Sequence, residues 1–290
     1  MKILITGKNS YIGTSFEKWV GQYNPEWQVD TVDTKGEEWK KLDFSNYDTV
    51  IHVAGIAHVS TDPKMEELYY KVNRDLALEV AHKAKKDGAK QIIFMSSMIL
   101  YGADEGVGIT NVITRETEPK PLNFYGDSKL QADLGIQNLN DENFKTAIIR
   151  TPMVYGPNGK GNFPKLIKLA KITPIFPSLE NKRSMIYIDN LCEFMRLLVE
   201  NQSQGIFFPQ NREYVGTRDI VQVAAKCMNK KVWLVGIGNP FIRFFSKYVR
   251  IINKVLGNKI YDKKISNDFG YKYCVVNFEE SIRKSIGLGE

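Results

Sequence analysis

Lys2-Ile3-Leu4-Ile5-Thr6-Gly7-Lys8-Asn9-Ser10-Tyr11-Ile12-Gly13 carries an apolar run straight into a turn bounded by glycines. The run is too short for a helix and reads as a strand buried on both faces, followed by a helix over about 14–23. Gly7 permits a tight turn. Gly13 lets the helix pack closely on the strand, so that helix N–H groups face an anion. That is the arrangement of a pyrophosphate cradle. Loops of this kind usually carry a middle glycine, and Ser10 stands there instead. Its side chain either hydrogen-bonds a phosphate oxygen or hinders the backbone's approach.

Outward from this loop, short β-rich runs alternate with helical stretches. Strands are expected at 28–33, 48–54, 91–96 and 145–150, with a long helix over 66–87 and another over 128–138. Beyond Tyr155-Gly156-Pro157 the pattern loosens, with helices at 163–171 and 190–200 and an apolar run at 206–208 returning to the main sheet. From Glu213 onward helices dominate. The alternation predicts an α/β chain: a Rossmann-type doubly wound parallel sheet with a smaller C-terminal α/β substrate lobe. The expected division is 1–155, with 184–210 returning to it, against 156–183 and 211–290. Asp33, twenty residues after Gly13, closes the second strand. A carboxylate there accepts both ribose hydroxyls of an adenosine and repels a 2′-phosphate, which favours NAD over NADP.

Composition narrows the classes further. Of 290 residues 43% are hydrophobic and 25% charged, ordinary globular usage that argues against disorder. No apolar run reaches the length of a membrane span, and the opening reads as a strand rather than a charged-then-apolar leader. Three dispersed cysteines (Cys192, Cys227, Cys274) make a disulfide framework unexpected, and a cytoplasmic setting is the expectation. With three histidines and no Cys/His cluster, no metal site is expected. The net charge of +7 is uneven: from Lys226 to Glu290 there are 13 Lys/Arg against 5 Asp/Glu. A basic end suits an anionic partner.

A second motif, Tyr125-Gly126-Asp127-Ser128-Lys129, sets a phenol and an ammonium four apart at a helix start, hence on one face. The ammonium, with a positive nicotinamide nearby, is expected to lower the tyrosine pKa toward neutrality. Tyr125 then becomes a base for an alcohol proton during hydride transfer. The strand Ile92-Ile93-Phe94-Met95-Ser96-Ser97 delivers hydroxyls at its carboxyl end, where open α/β sheets build their sites. Ser97 is the candidate to share the proton; Ser96 either joins it or caps the strand end.

Together these residues resemble the NAD-dependent epimerase/dehydratase family of extended short-chain dehydrogenases/reductases. The match runs through Gly7–Gly13, Asp33, Leu42-Asp43, Asn73, Ser96-Ser97-Met98-Ile99-Leu100-Tyr101-Gly102, Tyr125/Lys129, the stretch Arg150 to Pro157 and the stretch Arg183 to Leu191. The resemblance implies that NAD is held by Gly7, Ser10, Tyr11, Ile12, Gly13, Asp33, Asp43, Phe44, Ala54, Gly55, Asn73, Tyr125, Lys129 and Pro152. Asp43 would contact the adenine side. Ser97 takes the place of the catalytic Ser/Thr, beside Tyr125 and Lys129. By similarity to UDP-sugar 4-epimerases, Asn162 would bind the diphosphate, Phe176 would lie near the uracil and Arg183 would pair with phosphate; Ser97 and Tyr125 would touch the sugar. A guanidinium suits phosphate better than an ammonium does.

Absences sharpen this. Dehydratases of the family carry an Asp-Glu pair directly after the catalytic Thr, whereas Met98 and Ile99 follow Ser97 here. Redox at carbon 4 remains: epimerisation of a UDP-sugar, or reduction of a UDP-4-keto-2-acetamido-2,6-dideoxyhexose, as in a bacterial surface-polysaccharide branch. Asp33 tilts the reading to the epimerase. A non-catalytic dinucleotide sensor would be expected to lose the tyrosine or the serine, and both are present. A homodimer is expected.

The stretch 240–257 reads as one helix with a polar stripe of Arg243, Ser246, Lys247, Arg250, Asn253 and Lys254. It either packs into the C-terminal lobe or docks on an anionic membrane or a membrane glycosyltransferase. No motif supports nucleic-acid binding.

Overall fold

The computed structural model describes residues 1–56, 62–102, 106–246 and 248–288; the side chains of Arg250, Ile251 and Lys254 lie outside the description. In chain order it contains β1 (Lys2–Thr6), α1 (Tyr11–Tyr23), β2 (Gln28–Val32), β3 (Thr49–His52), α2 (Glu66–Tyr69), α3 (Leu76–Asp87) and β4 (Gln91–Ser97). Next come β5 (Thr110–Ile113), α4 (Phe124–Gln137), β6 (Lys145–Thr151), β7 (Met153–Tyr155), α5 (Phe163–Ile172), β8 (Ile175–Pro177) and β9 (Met185–Tyr187). The rest is α6 (Ile188–Glu200), β10 (Gly205–Phe207), α7 (Thr217–Cys227), β11 (Trp233–Val235), α8 (Asn239–Ser246), α9 (Arg250–Leu256), β12 (Asn258–Tyr261) and α10 (Phe278–Ser285).

Two compact units emerge. The first comprises Met1–Gly102, Glu118–Thr151 and Leu191–Pro209; the second comprises Ala103–Thr117, Pro152–Asn190 and Gln210–Glu290. These limits differ from the division expected from sequence. β5 pairs in parallel with β12, from Thr110↔Asn258 to Ile113↔Tyr261, and so groups with the second unit. β7 and β9 pair with each other, which carries 152–155 and 184–190 there too. Short strands that pair far along the chain leave no local signal of their partner.

The first unit is built on a six-stranded sheet of order β10-β6-β4-β3-β1-β2, parallel throughout. The order reverses at β1, so the carboxyl ends of β1 and β3 adjoin, the place where such sheets hold ligands. Ile3, Leu4, Ile5, Val50, Ile51, Ile92, Ile93 and Phe94 are fully buried, as parallel strands covered on both faces require. Leu4, Val50, Ile92 and Phe94 share one core with Trp39, Phe44, Val80, Ala84, Ile136 and Ile148. Burying each large apolar side chain of this kind contributes roughly 1.5–3 kcal/mol.

Helix starts follow their caps. Ser10 sits in extended conformation and its Oγ accepts from Gly13 N at 3.1 Å, so α1 begins at Tyr11, three residues earlier than its apolar pattern suggests. Asn123 caps α4 likewise, accepting from Gly126 N at 2.8 Å, so the helix starts at Phe124 rather than 128. The helix expected over 66–87 is interrupted: α2 passes into a π-helical stretch, Tyr70–Asp75, before α3. Local insertions of this kind recur at functional sites.

In the second unit, β8 pairs with β11, β5 with β12 and β7 with β9, each pair parallel. A buried polar network holds it: Ser184 Oγ donates to Gln210 Oε1 (2.5 Å), Gln210 Nε2 to Ser266 Oγ (2.8 Å) and Asn211 Nδ2 to Tyr155 Oη (2.9 Å). The single helix expected over 240–257 is two helices, α8 and α9, with Val249 in extended conformation before Arg250. The expected polar stripe is therefore not continuous, and Lys247 with the Arg250 and Lys254 side chains lies outside the described residues. Among the described residues, no helix is long and apolar enough to cross a membrane. The three cysteines form no disulfide.

Candidate active site

The loop after β1 has the form its glycines predict. Gly7 has φ +116°, and a Cβ there would lie 2.8 Å from Ala54 N, a contact no side chain tolerates. A Cβ on Gly13 would stand 2.6 Å from Ser10 Oγ and 3.1 Å from Ile5. Ser10 spends its acceptor capacity on the helix N-terminus, which explains why a serine serves where a glycine is usual. Tyr11 and Ile12 form the first turn of α1, half-buried. Ala54 N donates to Thr6 O at 3.1 Å, which brings the strand end carrying Gly55 against the loop.

Asp33 is exposed just beyond β2, its Oδ1 accepting from Lys35 N at 2.9 Å. Asp43 is also exposed; hydrogen bonds from the Ser45 backbone and hydroxyl hold its carboxyl below its ordinary pKa. Phe44 is different. Its ring lies in the core and its N–H donates to Asp87 Oδ2 at 3.1 Å, so both are taken by the protein's own partners.

The catalytic candidates converge on one stripe of α4. Tyr125, Lys129 and Asp133 are four apart in succession and therefore stacked along one face. Tyr125 is buried with the Ser97 side chain close enough to favour its ionised form, and Ser97 Oγ accepts from Ile99 N at 3.2 Å. Lys129 Nζ donates to Met95 O at 3.0 Å and lies 4.8 Å from the Phe94 ring centroid. Ser96 Oγ donates to Asp133 Oδ2 at 2.6 Å. Gly55 completes the group, because a Cβ there would meet Asn73 Oδ1 at 3.0 Å and Lys129 Nζ at 3.1 Å. Asn73, in the π-helical stretch, clasps the backbone of Ile56: its Oδ1 accepts from Ile56 N (2.8 Å) and its Nδ2 donates to Ile56 O (3.2 Å).

Electrostatics correct one expectation. Burial raises the Tyr125 pKa above its ordinary value, and the nearby Ser97 hydroxyl offsets this only in part. The ammonium that was to lower it points instead at the Met95 carbonyl. Burial also lowers Lys129, to about 8, with Asp133 acting in the opposite sense. His52, buried at the end of β3 with its ring stacked on Phe94, is pushed down to about 3, by burial first and by Lys129 second, and is neutral.

Asp133 was not legible as a site residue, although its place eight after Tyr125 on the same face was a signal. It is buried and held by Arg150 in a two-pronged pair, Nε to Oδ2 at 3.0 Å and Nη2 to Oδ1 at 2.9 Å. Arg150 Nη1 reaches on to Tyr101 Oη at 2.7 Å. Met98 is buried and Ile99 half-buried after Ser97, and neither bears a carboxylate.

The remaining expected residues lie in the second unit. Pro152 is buried just before β7. Asn162 heads α5, where its side chain makes no capping bond. Phe176 is buried in β8, in register with Leu234. Arg183 is half-buried, bridging Val215 and Lys259 through its backbone and donating from Nη1 to Val255 O at 3.3 Å. Among the described residues no group of His, Cys, Asp and Glu could hold a metal ion.

A glycine-bounded loop at the reversal of a parallel sheet, with Ser, Tyr and Lys at the end of the fourth strand, defines a dinucleotide-dependent class. The NAD dependent epimerase/dehydratase family model matches residues 3–208, and the chain belongs to that family. A UDP-glucose 4-epimerase of Vibrio cholerae is 31% identical over 215 residues, 71% of this chain; the chain spans 65% of that relative's length. An N-acetyl-alpha-D-glucosaminyl-diphospho-ditrans,octacis-undecaprenol 4-epimerase of Escherichia coli O157:H7 is 24% identical over 279 residues, covering 89% of this chain and 81% of that protein. Among solved structures, a Bacillus cereus UDP-glucuronic acid 4-epimerase in complex with NAD shares the fold, with TM-score 0.74 at 18% identity over 99% of this chain and 96% of the other.

Proposed function

We propose that this protein is an NAD-dependent 4-epimerase of UDP-sugars, acting in the cytoplasm on UDP-glucose and UDP-galactose or their N-acetyl forms to supply surface polysaccharide. The observation that carries the reading is the juxtaposition of Ser97 and Tyr125 with Lys129 buried one turn behind, at a strand end followed by Met98 and Ile99 instead of an acid pair.

The dinucleotide fits the residues present. Gly7 and Gly13 leave room that a Cβ would fill, α1 presents its N-terminus there, and Asp33 is an exposed carboxylate at the end of β2. Gly7, Ser10 to Gly13, Ala54 and Gly55 would hold the pyrophosphate and its surroundings; Asp33 would hold the ribose. NAD held there would supply the oxidant for the C-4 alcohol and, once reduced, the reductant for the ketone.

The chain's own residues handle the proton. Tyr125 accepts it from the sugar O-4 and gives it back, and Ser97 holds the same oxygen in line. Because burial keeps Tyr125 a phenol, its deprotonation waits on positive charge arriving beside it, and buried Lys129 holds one such charge near that face of α4. Met98 and Ile99 stand where dehydratases of the family carry their acid pair, which favours redox at C-4 over elimination. In the second unit Asn162 and Arg183 would serve the diphosphate and Phe176 the base.

A reductase of 4-keto sugars would use the same three residues but would consume one nicotinamide per sugar. Following nicotinamide absorbance during turnover separates the two. An epimerase converts many equivalents of UDP-sugar with no net change in absorbance, and stoichiometric loss of NADH would refute it.

A further inference from the structure

Helix α8 is built inside out. Phe241, Phe244 and Phe245 follow the three-and-four spacing of a single face of α8, the face that ordinarily packs into a core, and Tyr248 stands in a turn beyond the helix end. Here that face is turned to solvent, with exposures running from 50% for Phe245 to 90% for the preceding Ile237. The rings contact one another, Phe244 lying 5.5 Å from Phe245 and 5.6 Å from Tyr248 between centroids. The inward position belongs to a small polar residue: Ser246 is buried, its Oγ donating to Arg243 O at 2.7 Å.

The apolar face continues onto the neighbouring strand pair. Asn239 Nδ2, at the head of α8, donates to Ser178 Oγ at 2.9 Å, and Ser178 N to Val235 O at 3.1 Å, which ties the helix to β11 and β8. There Trp233 and Ile175 are paired in register and both exposed, with Val235 beside them. Lys231 Nζ lies 3.9 Å over the Trp233 ring. Exposed apolar patches of this extent mark interaction surfaces.

The exposed charges on α8 and beside Trp233, Arg243 and Lys231, are both positive. From Ile220 to Tyr261 the sequence contains no Asp or Glu and eight Lys/Arg. The stretch 143–179 likewise contains no Asp or Glu, and carries Lys168 and Lys171 on α5, both exposed. Glu180, the next carboxylate, is paired with Arg218 at 2.9 Å. A second copy of this chain would set like charges against each other. Aromatic rings beside the exposed cations Lys231 and Arg243 fit an anionic lipid surface, where rings enter the headgroup boundary and cations meet phosphate.

We propose that α8 with the β8–β11 edge seats this protein on an anionic bilayer. The inference is independent of the catalytic reading, since none of these residues belongs to the site.

The test is flotation of the full chain with vesicles of phosphatidylcholine alone or mixed with phosphatidylglycerol. The wild type rises with the anionic vesicles and not with the neutral ones. Phe241→Ser/Phe244→Ser/Tyr248→Ser lowers the partition coefficient more than tenfold, and Arg243→Gln lowers it about fivefold, the scale of one cation near such a surface. Circular dichroism confirms that both variants remain folded. The proposal fails if the wild type does not float with anionic vesicles, or if the triple variant binds as well as wild type. It fails equally if sedimentation equilibrium shows the triple substitution dissociating an oligomer while neither protein binds vesicles, because the face is then a subunit contact.

Discussion

Ser96 and Ser97, neighbours on β4, face groups eight residues apart on the same helix: Ser96 Oγ donates to Asp133 Oδ2 at 2.6 Å while Ser97 lies beside Tyr125, with Lys129 between them reaching the Met95 carbonyl. One serine therefore faces the reacting group and the other a buried ion pair. Ser97→Ala should lower turnover roughly tenfold to a hundredfold with little change in stability. Ser96→Ala should cost about 1–3 kcal/mol of stability by leaving a buried carboxylate under-bonded, with turnover nearly kept. Denaturant midpoints and initial rates on both variants check this; the reverse pattern would exchange their roles.

Tyr125→Phe removes the hydroxyl and leaves the ring, which packs edge-on against Tyr69 at 5.8 Å. Turnover should fall by roughly 10²-fold or more while the melting transition stays in place. A variant as active as wild type would exclude Tyr125 from proton transfer.

Lys129 titrates near 8, below its ordinary value, because burial disfavours its charge. Between that pH and 10.5 the unfolded chain binds the extra proton, so stability should rise with pH across this window. Lys129→Met should abolish the rise. Activity should move oppositely in the wild type, with kcat/KM falling above about pH 8 as the ammonium is lost. Urea midpoints and pH–rate profiles read the two effects, and a stability curve flat from pH 8 upward in the wild type would contradict the assignment.

Gly7→Ala forces a side chain onto φ +116° and against Ala54 N. A strained backbone of this kind costs about 1–3 kcal/mol. NAD affinity, measured by calorimetry, should drop more than tenfold, because the loop can relax only by shifting away from the backbone it must approach. Unchanged affinity would mean the dinucleotide lies elsewhere.

Arg150→Leu leaves Asp133 buried without its partner and should cost about 3–5 kcal/mol, whereas Arg150→Leu/Asp133→Leu should recover part of that loss. Additive losses in denaturant unfolding would show that the pair is not coupled.

Much of this was readable in the chain. The strand and glycine turn at its start, the sheet's alternation and the Tyr125–Lys129 spacing all rest on local patterns with their own periodicity. What stayed hidden depends on partners distant in sequence. Asp133 reads as an ordinary helix carboxylate until Arg150 is brought beside it by β6. The pairing of β5 with β12 spans a distance over which no pattern reports. The spacing of Tyr125 and Lys129 shows which charges are near but not which way an ammonium points, nor how deeply the phenol is buried. The stretch 240–257 reads as one helix that packs into the lobe or docks on a membrane, since sequence periodicity identifies a face without saying which way it turns.

The central claim is best tested by incubating the purified protein with UDP-glucose, UDP-galactose and their N-acetyl forms, with no reductant added, and following the sugar H-1 and H-4 resonances by NMR. The account predicts that one of these is converted to an equilibrium mixture with its C-4 epimer. No conversion of any of them, with NADH or NADPH oxidised once a UDP-4-keto-6-deoxy sugar is supplied, would contradict it and make the protein a reductase.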